Sequence, residues 1–184
     1  YDYSTVQIGE QCWFSENCRY LPSVTANEDS NNVPMYYVYD YQGTDVTAAQ
    51  STENYETYGV LYNWPAVMTE GICPSGWHIP SDGEFTQLTD FLGGESVAGY
   101  AMKSTSGWNS NGNGSNSSGF DGRPGGFAYF GGFGYSGSYG YWWSSSASGS
   151  SSAWRRFLFS SSDDVNRYLD SRNFGFSARC VRDY

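Results

Sequence analysis

The chain has 184 residues and a formal net charge of −10, with 19 Asp and Glu against nine Lys and Arg. This length is most simply one domain, residues 1–184, large enough to bury roughly two-thirds of its unfolded surface. The acidic balance argues against nucleic acid and anionic membrane surfaces as partners, because binders of phosphate backbones carry clustered Lys and Arg.

The composition is typical of an extracellular binding or adhesive domain. Aromatic residues make up 19% of the chain, there are 23 glycines, and Lys103 is the single lysine. Aromatic rings with short polar side chains make adaptable contacts at low entropic cost. No apolar run approaches the roughly twenty residues of a transmembrane helix, so we expect no membrane insertion. Since no leader-like segment precedes Tyr1, we expect the chain to be part of a longer secreted, cell-surface or virion-associated protein.

Two strand-like runs open the chain. Thr5–Ile8 and Gln11–Phe14 are joined by Gly9-Glu10, a two-residue turn that predicts a β-hairpin. Residues 20–50 are punctuated by Pro, Asn and Asp, which predicts a long loop region with one short strand near residues 35–39.

Two short helices are predicted next. Residues 58–68 indicate a strand entering a helix that Asn63 caps, with Pro65 in its first turn. Ser81 and Glu84 form a capping-box pattern that opens a second helix, which Gly93-Gly94 ends. An apolar stripe predicted to pack inward follows the box and consists of Phe85, Leu88, Phe91 and Leu92.

The second half of the chain is rich in loops. Residues 104–140 predict packed loops with short strands, and three aromatic runs follow at 140–146, 153–159 and 174–181. We interpret these runs as consecutive strands of an antiparallel meander. In the middle run, alternation predicts an inward face and an outward face, the inward one with Trp154, Arg156 and Leu158 and the outward one with Arg155, Phe157 and Phe159.

The predicted fold class is therefore α+β, with an antiparallel sheet, two short helices and a long loop-rich second half. We also expect the first and last strands to pair, which would bring the termini together. Of the pair Trp142-Trp143 in the first aromatic run, one indole is expected in the core and one at the rim.

The four cysteines, Cys12, Cys18, Cys73 and Cys180, allow three pairings. We favour Cys73 with Cys180 and Cys12 with Cys18, and hence an oxidising compartment. The alternative is four buried free thiols. There is no C-x-x-C, and His78 is the single histidine, so the sequence predicts no zinc site.

Six runs of the chain occur in an order that resembles a known family: Val6–Trp13, Ser15–Asn17, Tyr58–Trp64, Cys73–Asp82, Gly140–Ser146 and Phe174–Val181. They resemble the Fibrobacter succinogenes major paralogous domain family over almost the whole chain. The resemblance implies a C-type-lectin-like fold related to formylglycine-generating enzymes, in secreted or surface proteins. It also implies a Cys73–Cys180 disulfide, adjacent termini and a loop-rich ligand face. Cys12 and Cys18 depart from the family pattern, so we expect an extra local bridge between them.

A second resemblance is to the variable proteins of diversity-generating retroelements, in which adenines of asparagine codons near the 3′ end of the gene are randomised. Such codons never yield Lys, Glu, Gln, Met or Trp, and of these five only Trp154 occurs in residues 144–173. Residues of the kind that this process leaves are Arg155, Phe157, Phe159, Tyr168, Leu169, Asp170 and Ser171. The alternative is a Ser-rich segment with ordinary compositional bias.

Catalytic and metal-binding patterns are weak. His78 lacks the companions that a catalytic triad needs, so the sequence predicts no enzyme and no cofactor. Oxygen ligands around Asp163-Asp164 suggest calcium, but we favour a solvated acidic loop and no metal. Arg156, Arg167 and Arg179 are interpreted as structural residues that bind carbonyls or acidic side chains.

The sequence therefore predicts a non-enzymatic extracellular domain that binds a protein or a glycan, mainly through residues 139–173. The predicted ligand-binding residues are Tyr139, Ser148, Arg155, Phe157, Phe159, Tyr168 and Asp170. Two alternatives remain, namely a structural or matrix module without a specific ligand and an enzyme of the formylglycine-generating type.

Overall fold

A computed structural model describes residues 1–26 and 28–184. Asn27, which falls in the predicted long loop, lies outside the described residues. The strands are β1 (Thr5–Ile8), β2 (Gln11–Phe14), β3 (Tyr36–Tyr37), β4 (Leu61–Tyr62), β5 (Trp77–His78), β6 (Phe127–Tyr129), β7 (Gly132–Gly134), β8 (Tyr139–Ser148), β9 (Ser152–Phe159), β10 (Asn166–Ser171) and β11 (Val181–Arg182). The helices are α1 (Val46–Gln50), α2 (Glu53–Tyr58), α3 (Trp64–Val67), α4 (Asp82–Phe91) and α5 (Ala98–Met102). The α+β class is confirmed.

The strands form small antiparallel sheets. One sheet has the order β1-β2-β11-β5, a second has β10-β9-β8, and β3-β4 and β6-β7 are two-stranded. The opening hairpin is confirmed, with Gly9 at a φ of 60° in its turn. The last strand does not pair with the first, because β2 lies between them and Trp13 is opposite Val181. The first and last strands were expected to pair directly, and this prediction is wrong because β2 separates them.

Helices α3 and α4 confirm the two predictions from capping patterns. The side chain of Asn63 accepts from Ala66 N. At α4, Ser81 Oγ accepts from Glu84 N at 3.2 Å and a Glu84 carboxylate oxygen accepts from Ser81 N at 2.7 Å. The inward stripe is wrong at one position, since Phe91 is 65% exposed.

Helices α1, α2 and α5 were not predicted. Each has at most six residues, so too few turns exist for an apolar period to be recognisable. None of the helices in the described parts of the chain is long and apolar enough to cross a membrane.

The three-stranded sheet differs from the predicted meander in its third strand. Strands β8 and β9 pair as predicted, but the strand beyond β9 is β10, residues 166–171. The run 174–181 instead passes on the other side of β8, where Ser177 bridges Trp142, and Phe176 bridges Tyr62 of β4. Because that run makes isolated bridges to several elements, it is a connector between sheets.

The β8-β9-β10 sheet separates two parts of the core. On one side Trp142 and Leu158 pack in a cluster with Phe85 of α4. On the other side Trp143 lies in a cluster with Phe176. Both indoles are fully buried, so the expectation that one would lie at the rim is wrong. Alternation along β8 sends the two rings to opposite faces, and both faces are covered.

The disulfide between Cys73 and Cys180 is present, with a Cα–Cα distance of 5.8 Å. Cys12 and Cys18 are both free thiols. The predicted Cys12–Cys18 bridge is therefore wrong.

Backbone pairing explains why Cys18 does not meet Cys12. After β2 the chain continues along the final run, since Phe14 N donates to Cys180 O at 3.0 Å and Cys18 N donates to Ala178 O at 2.9 Å. The segment does not turn back towards Cys12. Its continuation brings the buried thiol of Cys18 beside Cys180 instead.

The arginines interpreted as structural are confirmed as such. Arg179 is fully buried and donates to the carbonyls of Phe14, Phe120 and Asp121 and to Asn17 Oδ1. Burial lowers the pKa of Arg179 to about 9.

The other two structural arginines meet helix α4. Arg156 donates to Asp82 O and Thr86 Oγ1, at 3.0 and 2.7 Å. Arg167 forms an ion pair with the Asp82 carboxylate at 2.8 Å. These contacts fix the inner face of β9 and the edge strand β10 against the start of α4.

Candidate functional site

The outer face of the β8-β9-β10 sheet is built by strand register. Tyr139 lies opposite Phe159 and Tyr141 opposite Phe157. On the other side of β9, Tyr168 lies opposite Arg155. Opposed residues of antiparallel strands share a face, and residues two apart along a strand share it too. The register therefore brings six of the seven predicted site residues to one face, the sixth being Asp170.

The rings on this face form a connected network, which Tyr168 joins through the guanidinium of Arg155. Tyr139 stacks on Phe159 with ring centres 4.7 Å apart and lies parallel to Tyr141 at 5.5 Å. The network continues through Phe127, which contacts Tyr141 at 6.1 Å and Phe174 at 5.6 Å. We call this surface the aromatic face, and its rings are Phe127, Tyr129, Tyr135, Tyr139, Tyr141, Phe157, Phe159, Tyr168 and Phe174.

Arg155 lies among the rings of the aromatic face. Its Nε donates to Asp170 Oδ2 at 2.7 Å. Its guanidinium carbon is 4.8 Å from the centre of the Tyr141 ring and 4.7 Å from that of Phe157. One guanidinium nitrogen, Nη1, has no hydrogen-bond partner among the described residues. The face therefore combines ring surfaces with a buried, incompletely satisfied donor.

Exposure divides the predicted site residues into two groups. Tyr168 is 63% exposed, and Tyr139, Phe157, Phe159 and Asp170 are half-buried. Arg155 lies on the predicted face with Phe157 and Phe159, but it is only 9% exposed. The residues around it cover its guanidinium, which therefore lies beneath the surface.

Ser148 is the predicted site residue that the structure leaves apart. It lies opposite Ser152 at the tip of the β8–β9 hairpin, next to the turn at Gly149. Phe157 lies five positions after Ser152 in β9, about 16 Å along the strand. A register shift between Trp143 and Ala147 also breaks the regular alternation of β8.

Sequence reasoning missed part of the aromatic face. Phe127 and Tyr129 lie outside the predicted strand meander, and Tyr129 stacks on Phe174 of the predicted third run with ring centres 4.0 Å apart. The density of aromatic residues in 127–135 was a usable signal. No local pattern, however, showed that the β6–β7 hairpin docks beside β8 through a bridge between Gly126 and Gly140.

Burial sets the protonation state of the phenol at the centre of the face. It raises the pKa of Tyr141 well above its usual range, although the positive charge of Arg155 opposes the shift. The hydroxyl is therefore neutral at physiological pH. Ring faces, phenol hydroxyls and one Arg–Asp pair are the chemistry of binding.

The acidic residues considered for calcium do not converge. Asp163 lies 3.3 Å from Lys103 Nζ, Asp164 accepts from Ser162 Oγ at 2.9 Å, and Asp170 binds Arg155. Within residues 1–26 and 28–184 there is no group of three or more His, Cys, Asp or Glu side chains placed to hold a metal ion.

His78 lies between two carboxylates. Its Nδ1 is 2.6 Å from Asp183 and its Nε2 is 2.8 Å from Glu84, the capping-box residue. Partial burial lowers the pKa of His78, but the two hydrogen bonds outweigh it and the net shift is upward. Both ring nitrogens are engaged in holding the C-terminal residues against α4.

The sequence and the geometry can now be compared with known proteins. The model of the Fibrobacter succinogenes major domain family matches residues 6–182, almost the whole chain. The chain belongs to this family. Membership confirms the resemblance carried by the runs from Val6–Trp13 to Phe174–Val181. No curated protein and no solved structure matches this Fibrobacter succinogenes major domain.

Proposed function

We propose that this Fibrobacter succinogenes major domain is a non-enzymatic extracellular domain that binds a protein or a glycan through the aromatic face. The observation that carries the proposal is the connected ring network, from which Tyr135 projects at 60% exposure, together with Tyr168, which is 63% exposed and joined to the network through Arg155. Exposed aromatic surface on this scale is typical of interaction sites. Tyrosine is also enriched where proteins bind protein or sugar ligands, because its ring is apolar and its hydroxyl is polar.

The polar groups of the face complement its rings. Arg155 Nη1 has no acceptor among the described residues, and a buried donor without an acceptor is destabilising. A ligand oxygen that reached this nitrogen would recover that free energy on binding. Asp170 is partly exposed beside it and supplies an acceptor for a ligand hydroxyl or amide.

Two further proposals concern origin and fold. We propose a C-type-lectin-like architecture, in agreement with the small antiparallel sheets and the bridge from Cys73 to Cys180. We also propose retroelement diversification. Five of the seven residues of the expected types share the aromatic face, namely Arg155, Phe157, Phe159, Tyr168 and Asp170. An adenine-rich near-copy of the gene's 3′ end beside a reverse transcriptase gene would support diversification, and its absence would refute it.

The binding proposal is tested with a fluorescent, multivalent form of the chain on a glycan array and on intact cells. We expect saturable binding to at least one target. Pre-treating the cells with protease or with periodate separates a protein ligand from a glycan ligand. Absence of binding in every arm would contradict the proposal and favour a structural module without a specific ligand.

A further inference from the structure

Three cysteine sulfurs meet in the core, away from the aromatic face. Cys180 is bonded to Cys73, and the free thiol of Cys18 lies 3.6 Å from the Cys180 sulfur. Cys18 and Cys180 are both fully buried. A free thiol therefore contacts one sulfur of a disulfide bond with nothing between them.

The backbone holds Cys18 in this place. Its N–H donates to Ala178 O at 2.9 Å, and its carbonyl accepts from Val60 N at 3.1 Å. The neighbouring pair, Phe14 N to Cys180 O, is 3.0 Å long. Cys18 is thus fixed against the same run of chain that carries Cys180, and a bond between them requires no rearrangement of distant segments.

We propose that Cys18, Cys73 and Cys180 form a thiol–disulfide exchange site, in which Cys180 alternates between Cys73 and Cys18. The deprotonated sulfur of Cys18 attacks the sulfur of Cys180. The Cys18–Cys180 bond forms as the Cys73–Cys180 bond breaks, and Cys73 leaves as a thiolate that takes up the proton released by Cys18. One disulfide and one thiol are present before and after, so no outside oxidant or reductant takes part.

Exchange changes what the surface presents. Cys73 is only partly buried and, with Trp77 and His78, lines an open cavity of about 440 Å³. Breaking its bond removes the covalent link between the loop around Cys73 and Cys180. It also places a thiol where a small disulfide or another thiol-reactive compound can modify it.

The environment of Cys18 sets the rate of exchange. Burial raises the pKa of Cys18 to about 12, and the nearby positive charge of Arg179 opposes this shift. The other titratable groups around the thiol are Glu16, Tyr3 and Tyr62. Because the thiolate is the attacking species, exchange is slow at pH 7 and accelerates about tenfold per pH unit below that pKa.

Peptide mapping after acid quenching and N-ethylmaleimide blocking tests the proposal. Trypsin places Cys12 and Cys18 in residues 1–19, Cys73 in residues 20–103 and Cys180 in residues 180–182. Because Cys12 and Cys18 lie in the same peptide, every variant also carries Cys12→Ser, so that a link from residues 1–19 involves Cys18. In Cys12→Ser/Cys73→Ser, folded in a glutathione redox buffer, we expect residues 1–19 linked to residues 180–182.

The Cys12→Ser chain itself provides the second measurement. The original disulfide links residues 20–103 to residues 180–182. After incubation at pH 9 we expect a second link, between residues 1–19 and 180–182, to form about a hundredfold faster than at pH 7. Cys12→Ser/Cys18→Ser should keep only the original link. The proposal is overturned if the pH 9 sample never shows the new link, whether or not the Cys73→Ser chain folds. The proposal is also overturned if the Cys12→Ser/Cys73→Ser chain folds but N-ethylmaleimide has reacted with both of its remaining cysteines, Cys18 and Cys180.

Discussion

Arg155 donates a 2.7 Å hydrogen bond from Nε to the carboxylate of Asp170 across strands β9 and β10. The same guanidinium faces the exposed ring of Tyr168 at 5.7 Å. A buried charge and its partly exposed partner thus lie directly beneath the most exposed aromatic ring of the candidate site. This point of the sheet therefore contributes to stability and also belongs to the proposed binding face.

Asp170→Asn is expected to lower the free energy of unfolding by about 1–3 kcal/mol, because it leaves the buried guanidinium without its charged partner. Urea unfolding measures the difference. Asp164→Asn is the matched control, since Asp164 is exposed and its carboxylate accepts from neighbouring Ser162; its effect should stay within about 0.5 kcal/mol. Equal effects of the two variants would show that the Arg155–Asp170 pair contributes nothing.

Aromatic residues of the face differ in their contribution to stability. Phe157 is half-buried and packs against the core cluster that contains Trp143 and Phe176. We expect Phe157→Ser to reduce the free energy of unfolding by about 1–2 kcal/mol through lost apolar burial. Tyr168→Ser should change it by less than about 0.5 kcal/mol. A Phe157→Ser chain as stable as the wild type would show that burial of this ring contributes nothing to stability.

Gly126 is expected to tolerate no side chain. Its φ is 64°, and an added Cβ would lie 2.2 Å from Gly134 O in the adjoining hairpin. Gly76 has a similar φ of 83° with open space around it. Gly76→Ala should cost about 1 kcal/mol for the left-handed backbone alone, and Gly126→Ala at least about 2 kcal/mol more for the clash. Thermal and urea unfolding compare them, and equal losses would contradict the close packing of Gly126 against Gly134.

The pairing of His78 with Glu84 and Asp183 predicts a pH dependence of stability. The pKa of His78 is raised in the folded chain, so its contribution is fully present below its unfolded value of 6.5 and is lost as pH rises through the folded pKa. Burial raises the pKa of Glu84, but its hydrogen bonds to Ser81 and His78 make the net shift downward. Its contribution is present above 4.5 and is lost as pH falls through the folded pKa.

Urea unfolding between pH 4 and pH 9 measures this dependence. We expect maximum stability of the wild type at about pH 5–6 from these two groups. His78→Gln should remove the decline above that range. If wild type and variant lose the same stability between pH 6 and pH 9, the ion pairs of His78 contribute nothing.

Local signals predicted local structure well. The Gly9-Glu10 turn, the Asn63 cap and the Ser81–Glu84 box each specify a hairpin or a helix start within four residues. The alternation of 153–159 likewise separated Arg156 and Leu158 from Phe157 and Phe159. The family resemblance, and not spacing, supplied the Cys73–Cys180 bridge.

What was missed depends on contacts between distant segments. The third strand of the sheet is β10 because β9 turns back through residues 160–165, whereas the more apolar run 174–181 is held by Tyr62 and Trp142. Cys18 meets Cys180, and not Cys12, because of pairing across more than 160 residues. Arg155 is buried because Tyr141, Phe176 and Tyr168 surround it.

The central claim is that the aromatic face binds a ligand, and the most direct test compares two exposed tyrosines. Tyr168 projects from this face, whereas Tyr100 lies on α5 and is 51% exposed. For a target found on the array or on cells, we expect Tyr168→Ala to raise the dissociation constant at least tenfold, and Tyr100→Ala to leave it unchanged. Unaltered binding by a folded Tyr168→Ala chain, or equal losses in both variants, would contradict the claim.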